Sequence, residues 1–258
     1  MMDQKQEMYE FVNRGNEHYM AHISIDSVIF GFHANQLKVL LVKIRHDDRW
    51  ALPGGFVRKE ETMEEAANRV LSERTGLNNI FLQQFHVFSE IHRSNTEKFL
   101  EILRSEGIKV EKNNWLTQRF ISVGFYALVN YEDAIPSRSW DSEVCEWFDL
   151  QNVGELILDH NKIIEAALET MRRQLNFQPI GYNLLPEKFT MPELQKLYET
   201  ILDKSLDRRN FQRKMLGYGI LDRLEERRKG GAHKAPYLYR FNLEEYQKAL
   251  KEGLQGGW

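Results

Sequence analysis

Residues 55–77, GFVRKEETMEEAANRVLSERTGL, concentrate the side chains whose types and spacing bear on metal and phosphate chemistry. Carboxylates bind hard divalent ions such as Mg²⁺, which neutralise charge and activate water when a diphosphate is hydrolysed. Glu73 is one such carboxylate, and Glu60 and Glu61 precede it. Val70 offers no ligand, and Arg74 would repel a dication by roughly 4 kcal/mol at contact. The segment therefore combines carboxylates suited to divalent ions with two positions that oppose them.

A helix must position these residues, and the sequence predicts where this helix begins and ends. Thr62 and Glu65 form a capping-box pattern, and Gly76 is typical of a C-terminal cap. Apolar residues recur at helical spacing: they are Met63, Ala66, Ala67, Val70 and Leu71. Ahead of the helix, Trp50 to Gly55 predicts a strand that ends in a tight glycine turn.

With these elements in place, the segment resembles the signature of the Nudix pyrophosphohydrolases. Seven residues fall in register with it: Gly55, Glu61, Arg69, Leu71, Glu73, Gly76 and Leu77. Val70 and Arg74 stand where the family has its other two metal-binding glutamates. The resemblance implies a Nudix fold without the metal chemistry, so we expect no hydrolase activity, no bound metal and no cofactor. The alternative is that Glu60 or Glu64 restores the metal site, although metal sites tolerate little displacement of their ligands.

Length and composition indicate a two-domain protein of a reducing compartment. The chain has 258 residues, more than a Nudix module needs, and a single cysteine, which excludes an internal disulfide framework. No apolar run approaches membrane-spanning length, and the first twenty residues are polar rather than signal-like. We expect a cytoplasmic protein without a membrane partner.

Charge is divided unevenly along the chain, whose formal net charge is −3. Residues 204–240 hold eleven basic and four acidic residues, whereas the remainder holds 24 basic and 34 acidic residues. An acidic body with a basic C-terminal patch suggests a polyanionic partner for that patch. A solvated surface without a partner is the alternative.

The order of elements in the tail favours nucleic acid. Thr190 and Glu193 form a second capping box before an apolar helical face, and Asp207 can cap a second helix, RRNFQRKML. Two predicted strands follow, near residues 220–225 and 237–241, joined by the basic loop RRKGGAHKAP. Helix, turn, basic helix and hairpin are typical of a winged helix-turn-helix. We expect its DNA contacts from the second helix and the wing: Arg208, Arg209, Asn210, Gln212, Arg213, Lys214, Arg228, Lys229, His233 and Lys234.

Across residues 23–242 the chain resembles the Nudix-related transcription regulators of bacterial NAD and sugar metabolism. Three blocks carry this resemblance besides the Nudix signature of residues 55–77, called the box below. They are PIGYNLLPEKFTMPELQKLYE, LDRRNFQRKM and YLYRF. It implies a homodimer formed through the sensor domain, which binds an effector, usually without hydrolysis, and then releases double-stranded operator DNA. The effector is ADP-ribose in one branch of the family and arabinose in another. We favour a free sugar slightly, because divalent ions that would compensate a diphosphate are not expected.

We expect the effector to contact residues around the degenerate box: Phe56, Arg58, Glu73, Arg74, Arg93 and Arg119. Beside it lies a departure from the family, an insertion at residues 94–118, SNTEKFLEILRSEGIKVEKNNWLTQ. Thr96 can begin a helix that runs through Ser105 and is closed by Gly107. The insertion is either a lid on the pocket or a solvated excursion, since long insertions cost little stability.

The sequence therefore predicts an α+β protein, a Nudix-like α/β/α sandwich followed by a winged helix-turn-helix. The boundaries are an N-terminal extension at 1–22, an effector-sensing domain at 23–178 and a DNA-binding domain at 179–258. The predicted function is a ligand-responsive transcription regulator, acting as a repressor. Two alternatives from other classes stay open: an active pyrophosphohydrolase of the ADP-ribose type with a nucleic-acid-binding tail, and a scaffold without a ligand.

Overall fold

The computed structural model describes residues 4–44, 47–78, 80, 82–93, 96–105, 107–110, 113–137, 142–175, 177–228 and 235–254. They divide into two compact units. The first comprises Met1–Phe30, Lys38–Ala127 and Glu132–Ala167; the second comprises Gly31–Leu37, Leu128–Tyr131 and Leu168–Trp258. Helices and strands are mixed in both, so the predicted α+β class is confirmed. Within the described residues, no helix is both long and apolar enough to cross a membrane.

The first unit is built around one sheet. In chain order, the elements that lie wholly or partly in it are α1 (Gln4–His18), β1 (Tyr19–His33), β2 (Gln36–Ile44), β3 (Trp50–Ala51), β4 (Gly54–Arg58), α2 (Met63–Thr75), β5 (Leu82–Phe88), α3 (Thr96–Ser105), β6 (Ile121–Leu128), β7 (Ser142–Asp149) and α4 (His160–Gln174). The strand order is β3-β2-β1-β6-β5, with β4 paired to β1 and β7 paired to β2. The single cysteine, Cys145, lies buried on β7, opposite Val42 of β2.

Helix α2 has both caps that its sequence predicts. The side chain of Thr62 accepts from the backbone N–H of Glu65, the Glu65 side chain accepts from the backbone N–H of Thr62, and Gly76 ends the helix at φ 71°. Its apolar stripe packs into a core with β1, β4 and β6: the buried members are Ile25, Val57, Ala66, Ala67, Val70, Val123 and Phe125. This stripe fixes which side chains of α2 remain at the surface.

The segment before α2 differs from the prediction. Instead of a strand that ends in a glycine turn, β3 is only two residues long, and Gly54 and Gly55 begin β4, where they pair with Asp26 and Ile25 of β1. A Cβ on Gly54 would lie 2.8 Å from the carbonyl oxygen of Ile25. Glycine therefore serves close strand packing here rather than a turn.

The second unit contains β8 (Phe189–Thr190), α5 (Met191–Leu202), α6 (Arg208–Gly217), β9 (Leu221–Arg227), β10 (Tyr237–Phe241) and α7 (Leu243–Glu252). Strands β8, β10 and β9 form an antiparallel sheet in that order. The predicted capping box of Thr190 and Glu193 begins α5, and the Asp207 side chain caps α6 by accepting from Asn210 N–H. The two predicted strands lie within one or two residues of β9 and β10.

Candidate functional site

A cavity of about 420 Å³ opens in the first unit beside α2. That volume falls within the roughly 300–1,000 Å³ of small-molecule sites. Its lining combines charged residues with apolar residues from α1, the sheet and the insertion. The charged and titratable members are Asp26, Asp47, Arg49, Arg69, Glu73, Arg74, Arg93 and His160.

Arg69 of α2 organises the carboxylates of the box. Its guanidinium binds Glu61 through two hydrogen bonds of 2.7 and 3.1 Å and lies 3.5 Å from Glu73. Burial alone would raise the pKa of Glu61, but hydrogen bonds from Arg69 and from the backbone N–H of Arg58 outweigh it and lower that pKa. Glu61 is therefore ionised and held by an arginine.

The two departures from the box have different surroundings. Both are buried and line the cavity, but Val70 packs into the apolar core around α2, whereas Arg74 brings a guanidinium to the lining. In the part of the chain that the structure describes, no group of three or more histidines, cysteines or carboxylates is placed to hold a metal ion. The described residues thus do not fit the metal chemistry of the signature.

Four arginines line the cavity: Arg49, Arg69, Arg74 and Arg93. Arg49 binds Asp47 with hydrogen bonds of 3.1 and 3.2 Å, an interaction that raises the pKa of Arg49 above its ordinary value. Guanidinium groups pair bidentately with phosphate or carboxylate oxygens. Arg49, Arg69 and Arg93 are paired with carboxylates of the chain, so an anionic ligand would share their donors or displace those carboxylates.

A buried polar network forms another part of the wall. Arg93 donates to Asp159 at 2.9 and 3.0 Å and to Asp26 at 3.3 Å, and Ser122 donates to Asp26 at 2.5 Å. Burial alone would lower the pKa of Arg93, but the carboxylates of Asp159 and Asp26 outweigh it, so the pKa is raised. The network holds one guanidinium rigidly at the cavity.

His160 completes this network as a neutral ring. Its Nδ1 accepts from the backbone N–H of Leu52 at 2.9 Å, which places the proton on Nε2, 3.6 Å from Asp26 Oδ1. Burial lowers the pKa of His160, and the nearby carboxylates of Asp26 and Asp159 oppose that shift without overcoming it.

Of the residues predicted to contact an effector, Phe56, Glu73, Arg74 and Arg93 line the cavity. Arg58 and Arg119 are outside its lining. Arg58 is exposed at the end of β4, and Arg119 donates from its guanidinium to the carbonyl of Ser89. The assignment of all six as effector contacts stays a prediction.

Several lining residues were not singled out in the sequence. Asp26 and His160 are distant in sequence and line the cavity, and Asp159 binds Arg93 from outside the lining; no local spacing signals these contacts. Helix α1 could have been recognised, because Met8, Val12 and Gly15 are partly or fully buried at helical spacing, as is Phe11. The predicted helix in the insertion is found as α3, and its Ile102 and Leu103 line the cavity.

In the second unit, α6 presents a polar face. Phe211 and Met215 are buried, whereas Arg208, Arg209, Asn210 and Arg213 are exposed, and Gln212 and Lys214 are partly exposed. The Arg213 guanidinium donates to Asn210 Oδ1 at 3.0 Å. Burial, with Lys204 nearby, lowers the pKa of Lys214. The exposed face carries side-chain types that read base edges in the major groove.

The strands after α6 add further basic groups. Arg228 follows β9 and binds Glu193 of α5 at 2.6 Å, and Arg223 and Arg227 lie over the Tyr237 ring at 4.7 and 4.0 Å. The predicted wing contacts Lys229, His233 and Lys234 fall outside the described residues.

Sequence profiles of known families match both units. The profile of the NUDIX domain matches residues 20–170, and the profile of the NrtR DNA-binding winged helix domain matches residues 181–241.

Two curated proteins are similar to this chain. One is the ADPR responsive transcriptional repressor NtrR of Acinetobacter baylyi, 28% identical over 231 residues, which are 87% of this chain and 83% of the relative. The other is the ADP-ribose pyrophosphatase of Methanocaldococcus jannaschii, 29% identical over 146 residues, which are 55% of this chain and 70% of the relative.

Solved structures resemble the chain over most of its length. Shewanella oneidensis NrtR complexed with a 27mer DNA has a TM-score of 0.71 at 24% identity, covering 92% of this chain and 99% of that one. A MutT/nudix family protein from Enterococcus faecalis has a TM-score of 0.62 at 21% identity, covering 94% and 100%. These matches confirm the predicted order of an α/β/α sandwich followed by a winged helix-turn-helix.

Proposed function

Because the chain belongs to the Nudix family and carries an NrtR-type winged helix, we propose that it is a DNA-binding repressor released by ADP-ribose or a closely similar nucleoside diphosphate sugar. The Nudix-like region, residues 23–178, is the sensor in this proposal, and residues 179–258 bind the operator. The similarity to an ADPR responsive repressor supports both roles.

The observation that carries the proposal is the set of four arginines that line the sensor cavity. A diphosphate needs positive charge around it, which a hydrolase of this family would take from metal ions. Here guanidinium groups supply that charge, so the absence of a metal set does not argue for a neutral sugar. A free pentose offers no charged oxygen to these guanidinium groups, whereas a diphosphate does, and we therefore place ADP-ribose ahead of arabinose.

The proposed regulator does not hydrolyse its effector. The described residues lack a metal-binding group, Val70 is buried in the core, and Glu61 is held by Arg69. The competing function is an ADP-ribose pyrophosphatase with a nucleic-acid-binding tail, which Glu61, Arg69 and Glu73 favour because they match the signature. Release of AMP from ADP-ribose with Mg²⁺ or Mn²⁺ separates the two. Turnover on the order of 1 per second, ordinary for an enzyme, would establish the hydrolase.

The DNA-bound form is proposed to be a homodimer through the sensor domain. Two winged helices related by a two-fold axis read a near-palindromic operator with half-sites about one or two helical turns apart. Analytical ultracentrifugation of the free protein and of its complex with a single operator duplex measures this stoichiometry. A single chain per duplex would contradict it.

The decisive experiment tests whether a ligand of the sensor cavity releases DNA from the winged helix. Operator sequences are selected from random DNA, and their fluorescence anisotropy with the full chain is followed while ADP-ribose, ribose 5-phosphate or arabinose is added. We expect ADP-ribose to release the DNA and arabinose to leave it bound. Arg49→Ala should weaken this release, whereas Arg14→Ala, an exposed arginine on α1 outside the cavity lining, should not. Release by arabinose alone would make the effector a free sugar.

A further inference from the structure

Helix α1 and the insertion pack together as one wall of the sensor cavity. Val12 of α1 is buried in a cluster with Leu103 and Ile108 of the insertion. The Asn114 side-chain amide donates to the carbonyl of Val12 at 2.7 Å, and Trp115 Nε1 donates to the same carbonyl at 3.1 Å. Two segments that are distant in sequence are thus joined by apolar packing and hydrogen bonds.

This wall is the apolar side of the cavity. Met8 and Phe11 contribute to the lining from α1, and Ile102, Leu103 and Leu116 contribute from the insertion. The lining arginines come instead from α2 and from segments around the sheet. The cavity therefore offers two different chemistries, a guanidinium-rich region and an apolar region.

Aromatic rings lie where the apolar wall meets the sheet. Phe11, Tyr19, Phe56 and Phe120 all line the cavity, with ring centroids of neighbouring pairs 5.2 to 6.1 Å apart. Aromatic side chains favour a flat heterocycle, because a nucleobase stacks on the face of an aromatic ring. An extended acyl chain would gain no such stacking.

We propose that α1 and the insertion form a base-binding compartment, so that the sensor selects an intact nucleotide rather than a sugar phosphate. This inference rests on the proposed sensing function and assigns its specificity to residues outside the Nudix signature. The phosphates pair with the arginines, and the purine ring lies against Met8, Phe11 and the neighbouring aromatic rings.

The test places a larger side chain at Met8, on the partly exposed side of the compartment. Met8 is half-buried and lines the cavity, whereas its neighbour Glu7 is exposed and does not. Affinities of the wild-type chain, Met8→Trp and the matched control Glu7→Trp are measured by calorimetry for ADP-ribose, AMP and ribose 5-phosphate. We expect Met8→Trp to lower the affinity for ADP-ribose and for AMP at least about tenfold, which is within the range of a lost stacking contact. The affinity of Met8→Trp for ribose 5-phosphate should change less than about twofold. Glu7→Trp should bind all three ligands with the wild-type affinity.

Two results would contradict the proposed base-binding compartment without contradicting the proposed sensing function. One is a wild-type chain that binds ribose 5-phosphate as tightly as ADP-ribose; the other is a Met8→Trp variant that binds ADP-ribose normally or weakens all three ligands equally. If wild-type protein bound none of them, the proposed function itself would fail. Saturation-transfer NMR on the wild-type chain supplies a readout independent of variant folding. Saturation of protein aromatic and methyl protons should reach the adenine protons of ADP-ribose more than its terminal ribose, and the reverse order would reject the compartment.

Discussion

Among single residues, Glu61 and Arg69 of the Nudix signature form an ion pair at the start of α2. Both oxygens of Glu61 accept hydrogen bonds from Arg69, and one also accepts from the backbone of Arg58. Recruiting Glu61 to a metal would remove these bonds and leave the Arg69 guanidinium with Glu73 and the carbonyl of Phe56 as partners. The loss of these bonds opposes metal binding by Glu61.

Gly15 shows how closely α1 fits the insertion. A Cβ at this position would lie 2.3 Å from a ring carbon of Trp115, and both residues are buried. We expect Gly15→Ala to destabilise the first unit by about 1–3 kcal/mol, as overpacked cores do. Urea unfolding measures the change. Gly154→Ala is the control, because its Cβ would meet nothing within 4 Å, and an equal loss in both variants would show that the packing of Trp115 is not the cause.

His160 makes stability depend on pH in a defined window. Its pKa in the folded chain lies below the ordinary 6.5, so the unfolded chain takes up this proton first as pH falls. The stabilisation is therefore complete above pH 6.5 and is lost as the pH falls from there towards the folded pKa, by at most about 1.4 kcal/mol per pH unit.

His160→Asn should remove this dependence, because the Asn oxygen can still accept from the N–H of Leu52 but does not titrate. Unfolding free energies between pH 5 and 7 compare the two chains. The difference in slope should begin as the pH falls below about 6.5, whereas the lowered pKa of Glu61 acts only below about 4.5. Parallel curves for wild type and variant would contradict the buried, neutral state of His160.

At the scale of elements, α6 separates packing from recognition. Phe211 and Met215 are buried one turn apart, and Arg209 and Arg213 are exposed one turn apart. The tyrosine of α5, Tyr198, packs edge-on against Phe211 at 5.4 Å. This packing holds the polar face of α6 in a fixed orientation with respect to α5.

Arg213→Ala should lower the affinity for a selected operator by about 1–3 kcal/mol and relax its sequence preference. Electrophoretic mobility shifts at one fixed salt concentration measure both effects. Lys196→Ala removes one positive charge from an exposed position on α5 and should affect the operator less and without a change in preference. Unchanged specificity in Arg213→Ala would show that α6 is not the recognition helix.

Elements with local signals could be predicted from the sequence, and tertiary contacts could not. The caps of α2, α5 and α6 depend on residues three positions apart, so they were correctly identified. The role of Gly54 was misjudged, because only the pairing of β4 with β1 reveals the close approach of two backbones. The Asp26, Arg93 and Asp159 network spans 133 positions of sequence and has no local pattern. The apolar face of α1 was overlooked because its polar residues dominate the N-terminal composition.

At the scale of the whole molecule, effector and operator must affect each other reciprocally if one releases the other. Whatever factor saturating ADP-ribose imposes on the Kd for operator DNA, saturating operator must impose on the Kd for ADP-ribose. Calorimetric titration of ADP-ribose into free protein and into the preformed DNA complex measures this factor. For a coupling of typical size we expect a change of about 5- to 150-fold in both directions. Unequal factors would mean that another species, such as a change in oligomeric state, contributes to release.

The buried cysteine of β7 allows local opening of the first unit to be measured by thiol labelling. Burial raises the pKa of Cys145 to about 11, so that at pH 8 only roughly one thiol in a thousand is a thiolate, and the side chain is shielded from solvent. A thiol reagent such as Ellman's compound can then reach it only when the strand opens, and the labelling rate reports the free energy of that opening. Because the sequence has no other cysteine, the signal comes from one site in the first unit, and slower labelling upon addition of a ligand would register binding without any engineered probe.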